Sequence, residues 1–292
     1  MIESVPNLSE GRSEERISRI AFAVGGAGCR LLDIHSDRDH NRSVLTFVGE
    51  PDRIIDAVVA LAGAAFEEID IRTHRGVHPR IGSLDVVPLV PLFDSSMEDC
   101  IGLARSLGDE IALRYGVPVY LYGDAASSPE RRELSSIRKG GLTGLASRIS
   151  SPEWHPDFGP ARLHPTAGAV AVGARGLLVA YNVLLDTEDI AIGRRIASAI
   201  REREGGLPGV KALAFYLESR RLVQVSMNLT DIDATPIPRA FSAVRKEAAR
   251  YGVGVVESEI VGLVPRRALQ GAGKEDLLCR RDPAELILED RI

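Results

Sequence analysis

An α+β fold built from two copies of a βαββαβ unit is what this 292-residue sequence predicts. Three observations carry the prediction. Short apolar runs bounded by turn residues alternate with longer segments whose apolar positions recur at helical spacing. The order of those elements in the first ninety-odd residues recurs between residues 176 and 263. The composition, 45% hydrophobic and 26% charged, is that of a chain able to bury a core.

In the first copy, Met1–Val5 reads as a short strand, and Ser9 or Ser13 offers a hydroxyl to start a helix through about Val24. Leu31–Ile34 and Ser43–Val48 are two strands, Pro51 opens a helix through Val59 to Phe66, and Asp85–Leu92 is the fourth strand. An insert follows: a helix near Met97–Tyr115, the strand Val117–Tyr122 and a short helix near Arg131. Ser151–Pro160 is too rich in proline to be regular and is expected to cross between domains. In the second copy, Gly176–Val183 is a strand and Thr187 is expected to cap a helix through about Gly205. Val210–Leu217 and Leu222–Asn228 form a hairpin about Arg220 and Arg221. Pro236 opens a helix stopped by Gly252, and Val253–Leu263 closes the unit. This order is the split βαβ of a ferredoxin-like sheet. The expectation is therefore two duplicated ferredoxin-like subdomains with facing sheets, at 1–170 and 171–292.

The net charge of −5 gives no bulk attraction to nucleic acid or to an anionic membrane, so a bound anion must be held by locally clustered arginines. Aromatic residues are only 5%, too few for a base-stacking sheet. Cys29, Cys100 and Cys279 are scattered and lack metal-ligand spacing, as expected for reduced thiols in a cytoplasmic protein. The start, Met1-Ile2-Glu3-Ser4-Val5-Pro6-Asn7, does not read as a signal peptide. No run approaches the ~20 apolar residues that span a bilayer.

The chemistry concentrates in Thr73-His74-Arg75-Gly76-Val77-His78-Pro79-Arg80-Ile81-Gly82-Ser83-Leu84-Asp85. Two imidazoles, two guanidinium groups and a carboxylate sit there in a loop punctuated by Gly and Pro, just before an apolar strand. His78 is the candidate catalytic residue, because an imidazole both takes and returns a proton near neutral pH. Pro79 restricts its backbone. His74 is either a second participant or a ring bonded to a loop carbonyl. The H-x3-H spacing does not read as a metal site, since Gly76 and Pro79 oppose a helix.

A second cluster, His35-Ser36-Asp37-Arg38-Asp39-His40-Asn41-Arg42, joins two strands. It reads as a polar hairpin loop, or as a site in which Arg42 clamps a substrate carboxylate while Asp39 or His40 orients another group. Arg80 is a second candidate carboxylate holder. Asn7 and Asn182 follow the first apolar run of each copy, and Asn228 lies on the second sheet; all three are candidate substrate contacts. A third stretch, Asp157–Ala169 with Val172–Arg175, is rich in small residues, which lets a flat ligand approach the backbone or simply makes a tight linker.

Together these segments resemble the formiminotransferase family. The resemblance rests on Val5-Pro6-Asn7 with Ser9-Glu10-Gly11, Asp39-His40-Asn41-Arg42, His78-Pro79-Arg80 with Gly82, Pro156-Asp157-Phe158-Gly159-Pro160, Gln224–Thr230 and Ser258–Pro265. It runs from the first residues to about Ala268. It implies transfer of a formimino group between N-formimino-L-glutamate and N5 of tetrahydrofolate, in histidine degradation. It further implies small-molecule substrates only, tetrahydrofolate as co-substrate, no metal, and a homodimer. His78 aligns with the family's catalytic histidine. Gly159, Pro160, Arg162, His164, Pro165 and Gly168 fall in the stretch that matches its folate-contacting segment. One departure stands out: His35-Ser36-Asp37-Arg38 replaces a Pro-Gly turn common in the family. That leaves open a paralogue acting on another formimino or formyl donor, and a non-catalytic folate-binding protein is the alternative of a different class. The tail after Ala268 is short, so a single activity is expected.

Overall fold

The computed structural model describes residues 1–292, which form two compact units, Met1–Gly176 and Leu177–Ile292. The first unit is built on β1 (Ile2–Ser4), β2 (Asn7–Leu8), α1 (Glu14–Gly26), β3 (Arg30–Asp37), β4 (Arg42–Gly49), α2 (Pro51–Glu68) and β5 (Leu84–Pro91). The insert supplies α3 (Met97–Tyr115), β6 (Val119–Gly123), α4 (Leu134–Ile137), α5 (Gly141–Ala146) and β7 (Val170–Ala174). β1 and β2 act as one strand interrupted at Val5-Pro6, each pairing with β4 on one side and β5 on the other. The sheet runs β3–β4–β1/β2–β5–β7–β6, so the antiparallel core has the expected ferredoxin-like order and the insert adds two parallel strands beside β5. Strands buried on both faces read as unbroken apolar runs, and β5 is buried over all but its last residue.

Ser13, not Ser9, caps α1 by accepting from the Arg16 N–H. Ser9 instead donates to the Gly82 carbonyl at 2.6 Å. α3 has the bounds the spacing predicts: Ser96 and Asp99 form a reciprocal cap, and Gly116 ends the helix at φ 64°. Helices α1, α2 and α3 cover one face of the sheet with a continuous apolar core that includes Ile20, Leu61 and Leu107. A smaller cluster, with Ile137, Leu145 and Ile149 against Tyr120 and Tyr122, lies over the other face.

The proline-rich segment does not cross between the units. Asp157 accepts from the Leu121 N–H at 2.7 Å and pairs with Arg131, which pins the segment to β6. The chain then enters β7, whose alternation is concealed because Ala171, Gly173 and Ala174 carry little side chain. Small residues there serve the sheet itself: a Cβ on Gly173 would run into the Tyr122 ring.

The second unit comprises β8 (Val179–Leu185), α6 (Ile190–Ile200), β9 (Val210–Leu217), β10 (Leu222–Leu229), α7 (Ile237–Ala249) and β11 (Val255–Val261). Its sheet order, β11–β8–β10–β9, is wholly antiparallel and repeats that of the first unit. Asp189 caps α6, accepting from the Ala191 N–H, while Thr187 accepts from the Asp189 N–H one step earlier. The helix stops at Ile200 rather than near Gly205, where a single 3-10 turn takes over. No helix is long and apolar enough to cross a membrane.

Candidate active site

The first unit brings Asn7, His40, Arg42, His78, Arg80 and Asp85 around one crevice. Each arrives for a local reason. Asn7 begins β2, and Arg42 begins β4 after a four-residue turn in which Asn41 takes φ 48°. His40 occupies that turn, its N–H bonded to the Asp37 carboxylate at 2.7 Å. His78 lies in the loop before β5.

Arg42 is the hub. One end of its guanidinium donates to the Asn7 side-chain oxygen, and Nη1 lies 3.1 Å from His78 Nε2. A guanidinium only donates, so Nε2 must present its lone pair. The proton then sits on Nδ1, and a hydrogen bond between the ring and the Pro79 backbone favours the protonated form. The tautomer is thereby fixed. Burial first, and the Arg42 charge second, hold the His78 imidazole well below its ordinary value, so it is neutral at neutral pH. Burial likewise lowers Arg42 to about 10. The His40 and His78 rings stack at 5.9 Å with 29° between their planes.

The remaining predicted groups shape the site. His74 Nε2 meets the Asn41 carbonyl at 2.7 Å, so it donates there; the loop-carbonyl alternative holds. Arg80 donates to the carbonyls of Gly76, His78 and His74 at 3.1, 3.1 and 3.2 Å, which ties the His78 loop to itself. The Asp39 carbonyl accepts from the Val77 N–H at 3.3 Å, joining the turn to that loop. Asp85 does not bond His78; it accepts from the Ile81 N–H at 2.7 Å and pairs with Arg138.

The 159–168 segment abuts the same loop. The Ala169 N–H donates to the Ile81 carbonyl at 2.9 Å, and Gly82 and Gly168 meet backbone to backbone. A Cβ on Gly82 or Gly168 would overlap a facing carbonyl oxygen, so only glycine permits this approach. Gly159 turns at φ 84°. Pro160 follows it, half-buried, and Arg162 and Pro165 point to solvent. His164 forms a two-bond bridge with Gly168 and accepts from the Ala167 N–H at 3.1 Å through Nδ1. Beside the crevice, a groove of about 530 Å³ shares Ser9 and Asn41 with it as walls. That volume is within the range of small-molecule sites.

In the second unit, Asn182, Gln224, Ser226 and Asn228 lie on the sheet face opposite the helix-covered core. Asn182 is buried and donates to Glu259 at 3.2 Å; Asn228 is exposed.

Comparison with known families now decides the ancestry. A family model described as "Formiminotransferase domain, N-terminal subdomain" matches residues 1–175, and one described as "Formiminotransferase domain" matches residues 180–290. The chain belongs to the formiminotransferase family. Among similar proteins, the glutamate formimidoyltransferase of Thermoplasma acidophilum is 50% identical over 94% of this chain and 91% of its own length. That of Streptococcus pyogenes serotype M1 is 42% identical over 92% and 90%. The formimidoyltransferase-cyclodeaminase of Gallus gallus is 42% identical over 94% of this chain but only 52% of its own length.

Behind this crevice, the sequence alone missed Arg138, the partner of Asp85. It comes from the insert, where no periodicity marks it out and only its charge next to a Gly-Gly turn offered a signal.

Proposed function

We propose that this chain is a glutamate formimidoyltransferase, moving a formimino group between N-formimino-L-glutamate and N5 of tetrahydrofolate. The observation that carries the proposal is the placement of His78: in the crevice, its Nε2 faces a guanidinium that can only donate and so presents a lone pair, and its loop abuts the 159–168 segment. In the forward direction N5 attacks the amidine carbon and a C–N bond forms. Nε2 accepts the proton that N5 gives up. The imidazolium returns it to the glutamate nitrogen, the second C–N bond breaks, and glutamate leaves. One imidazole serving both transfers is typically worth roughly 10²–10⁴ in rate.

In the free protein Nε2 is occupied by Arg42. A carboxylate of the amino-acid donor is a stronger partner for a guanidinium than a neutral imidazole is. Its arrival draws Arg42 away and releases the lone pair, so the base is exposed only when the donor is present. Asn7 holds the other end of Arg42 throughout. Asp39 and His40 are further proposed contacts to the amino acid, and Gly159, Pro160, Arg162, His164, Pro165 and Gly168 to the folate. Alignment of the two substrates supplies a larger share of the acceleration than the proton transfer. A homodimer in the cytoplasm, with tetrahydrofolate as co-substrate and no metal, completes the proposal; three buried free cysteines fit a reducing compartment.

The test is direct. Purified protein with tetrahydrofolate and either N-formimino- or N-formyl-glutamate should react with the formimino donor. His78→Ala should retain folate binding and lose at least roughly 100-fold in turnover. Near-normal turnover in that variant removes His78 from the mechanism.

A further inference from the structure

Arg138 follows α4 as its C-terminal cap, and its guanidinium reaches the Asp85 carboxylate, 53 positions away in the chain. Both side chains are largely buried, 13% and 4% exposed. The second Asp85 oxygen takes the Ile81 N–H, and Ile81 also receives Ala169. Asp85 therefore joins the insert to the end of the His78 loop. Neither Asp85 nor Arg138 hydrogen-bonds the imidazole.

We propose that the Arg138–Asp85 ion pair is a positioning device for His78, through which the insert holds the end of the His78 loop and balances the charge around the ring. The proposal builds on the assignment of His78 as proton carrier. The charged and titratable groups around the ring come from several elements: Arg42 from β4, His40 from the turn before it, Arg80 from the loop itself, Asp85 from β5 and Arg138 from the insert. Asp37, at the end of β3, acts on Arg42. Positive groups outnumber negative ones here. The Arg138 charge opposes protonation of His78 and also acts on Arg42. Asp85 offsets it. An unpaired member of the pair would therefore pull His78 in a direction set by its own sign.

Opposite shifts are the discriminating result. Arg138→Met removes a positive charge and uncovers a carboxylate, so His78 should take up its proton at higher pH than in the wild type. Asp85→Asn keeps an oxygen for the Ile81 N–H and uncovers a guanidinium, so His78 should protonate at lower pH. The double variant should return close to the wild-type titration, and Arg138→Lys should stay near it. The readout is the His78 ring C–H resonance against pH. The chain has only six histidines, so a His78→Gln spectrum identifies the signal. The acid limb of the turnover–pH profile should move with it, with roughly tenfold lower turnover at neutral pH in Arg138→Met from loss of alignment. Shifts of the same sign, or no shift in folded variants, overturn the proposal and leave a purely structural ion pair. Should Arg138→Met fail to fold, the Arg138→Lys and Asp85→Asn titrations decide it alone. Absence of formimino transfer by the wild type would instead defeat the functional assignment, without touching the titration result.

Discussion

Gly76→Ala should disable the site while leaving the fold standing. Gly76 crosses the 38–41 turn, and three bonds zip the two segments together around it: Val77 N–H to Asp39, Asn41 Nδ2 to Arg75 at 3.0 Å, and His74 to Asn41 at 2.7 Å. A Cβ at Gly76 would overlap the His40 carbonyl oxygen and lie 2.8 Å from its carbon, against about 3.4 Å for ordinary contact. The obstacle is backbone, not a flexible side-chain end. Measured from the oxygen, 2.2 Å away, the segments must part by about 1.2 Å to reach ordinary contact, and one carries His78 while the other carries His40 and leads into Arg42. Overpacking of this kind costs about 1–3 kcal/mol, and the stiffer unfolded chain gives back about 0.4–1. The net loss is small beside a typical stability of about 5–15 kcal/mol. Catalysis is less forgiving, since a misplacement of about 1 Å costs on the order of 10²-fold. Turnover with saturating tetrahydrofolate should therefore fall roughly 10- to 100-fold, while far-UV circular dichroism is unchanged and the melting point drops by a few degrees. A folded variant within threefold of wild-type turnover would refute the claim that these two segments set the geometry.

Three further outcomes are expected. Gly102→Ala, in α3 with nothing within 4 Å of its Cβ, should stabilise by about 0.4–1 kcal/mol in denaturant titrations; destabilisation would show that the helix packs differently there. Glu3 is buried in the first sheet and burial pushes its carboxyl up to about 7. The folded state thus keeps a proton that the unfolded chain releases above about 4.5, so stability falls as pH rises through that window. At ~1.4 kcal/mol per pH unit the loss reaches about 3 kcal/mol; Glu3→Gln should abolish it between pH 5 and pH 8, and an unchanged pH dependence would count against a buried protonated carboxyl. Arg131 bonds Asp157 at 3.1 Å and the Glu153 and His155 carbonyls at 2.8 and 2.6 Å. Arg131→Met leaves Asp157 uncompensated and should cost about 3–5 kcal/mol by chemical denaturation; a loss below 1 kcal/mol would mean the pair is dispensable.

Much of this architecture is legible in the chain. The Met97–Tyr115 helix announces both ends, because its cap, apolar stripe and terminal glycine agree. The hairpin at 210–229 is equally plain, since β-branched and aromatic runs flank two arginines. The His78 loop shows itself because a connection has no packing motive to gather such groups. β7 is invisible for the opposite reason: strand propensity is a statement about side chains filling a pleated surface, and Ala171 and Gly173 have almost none. The roles of Arg80 and Asp85 also escape the sequence. Whether a charged group meets a ligand or a backbone carbonyl depends on partners that only folding selects, and Arg138 arrives at Asp85 from a segment with no marked pattern.

The two glycines that let Ile81 and Gly168 run side by side carry a mechanical consequence. With no side chain between them, the strip from 159 to 168 and the imidazole-bearing loop have no sliding surface and must travel as one piece. Whatever docks on the strip therefore registers at the ring without delay or slack. Any breathing that admits a molecule falls to the polar turn at 38–41, which three hydrogen bonds hold to the loop.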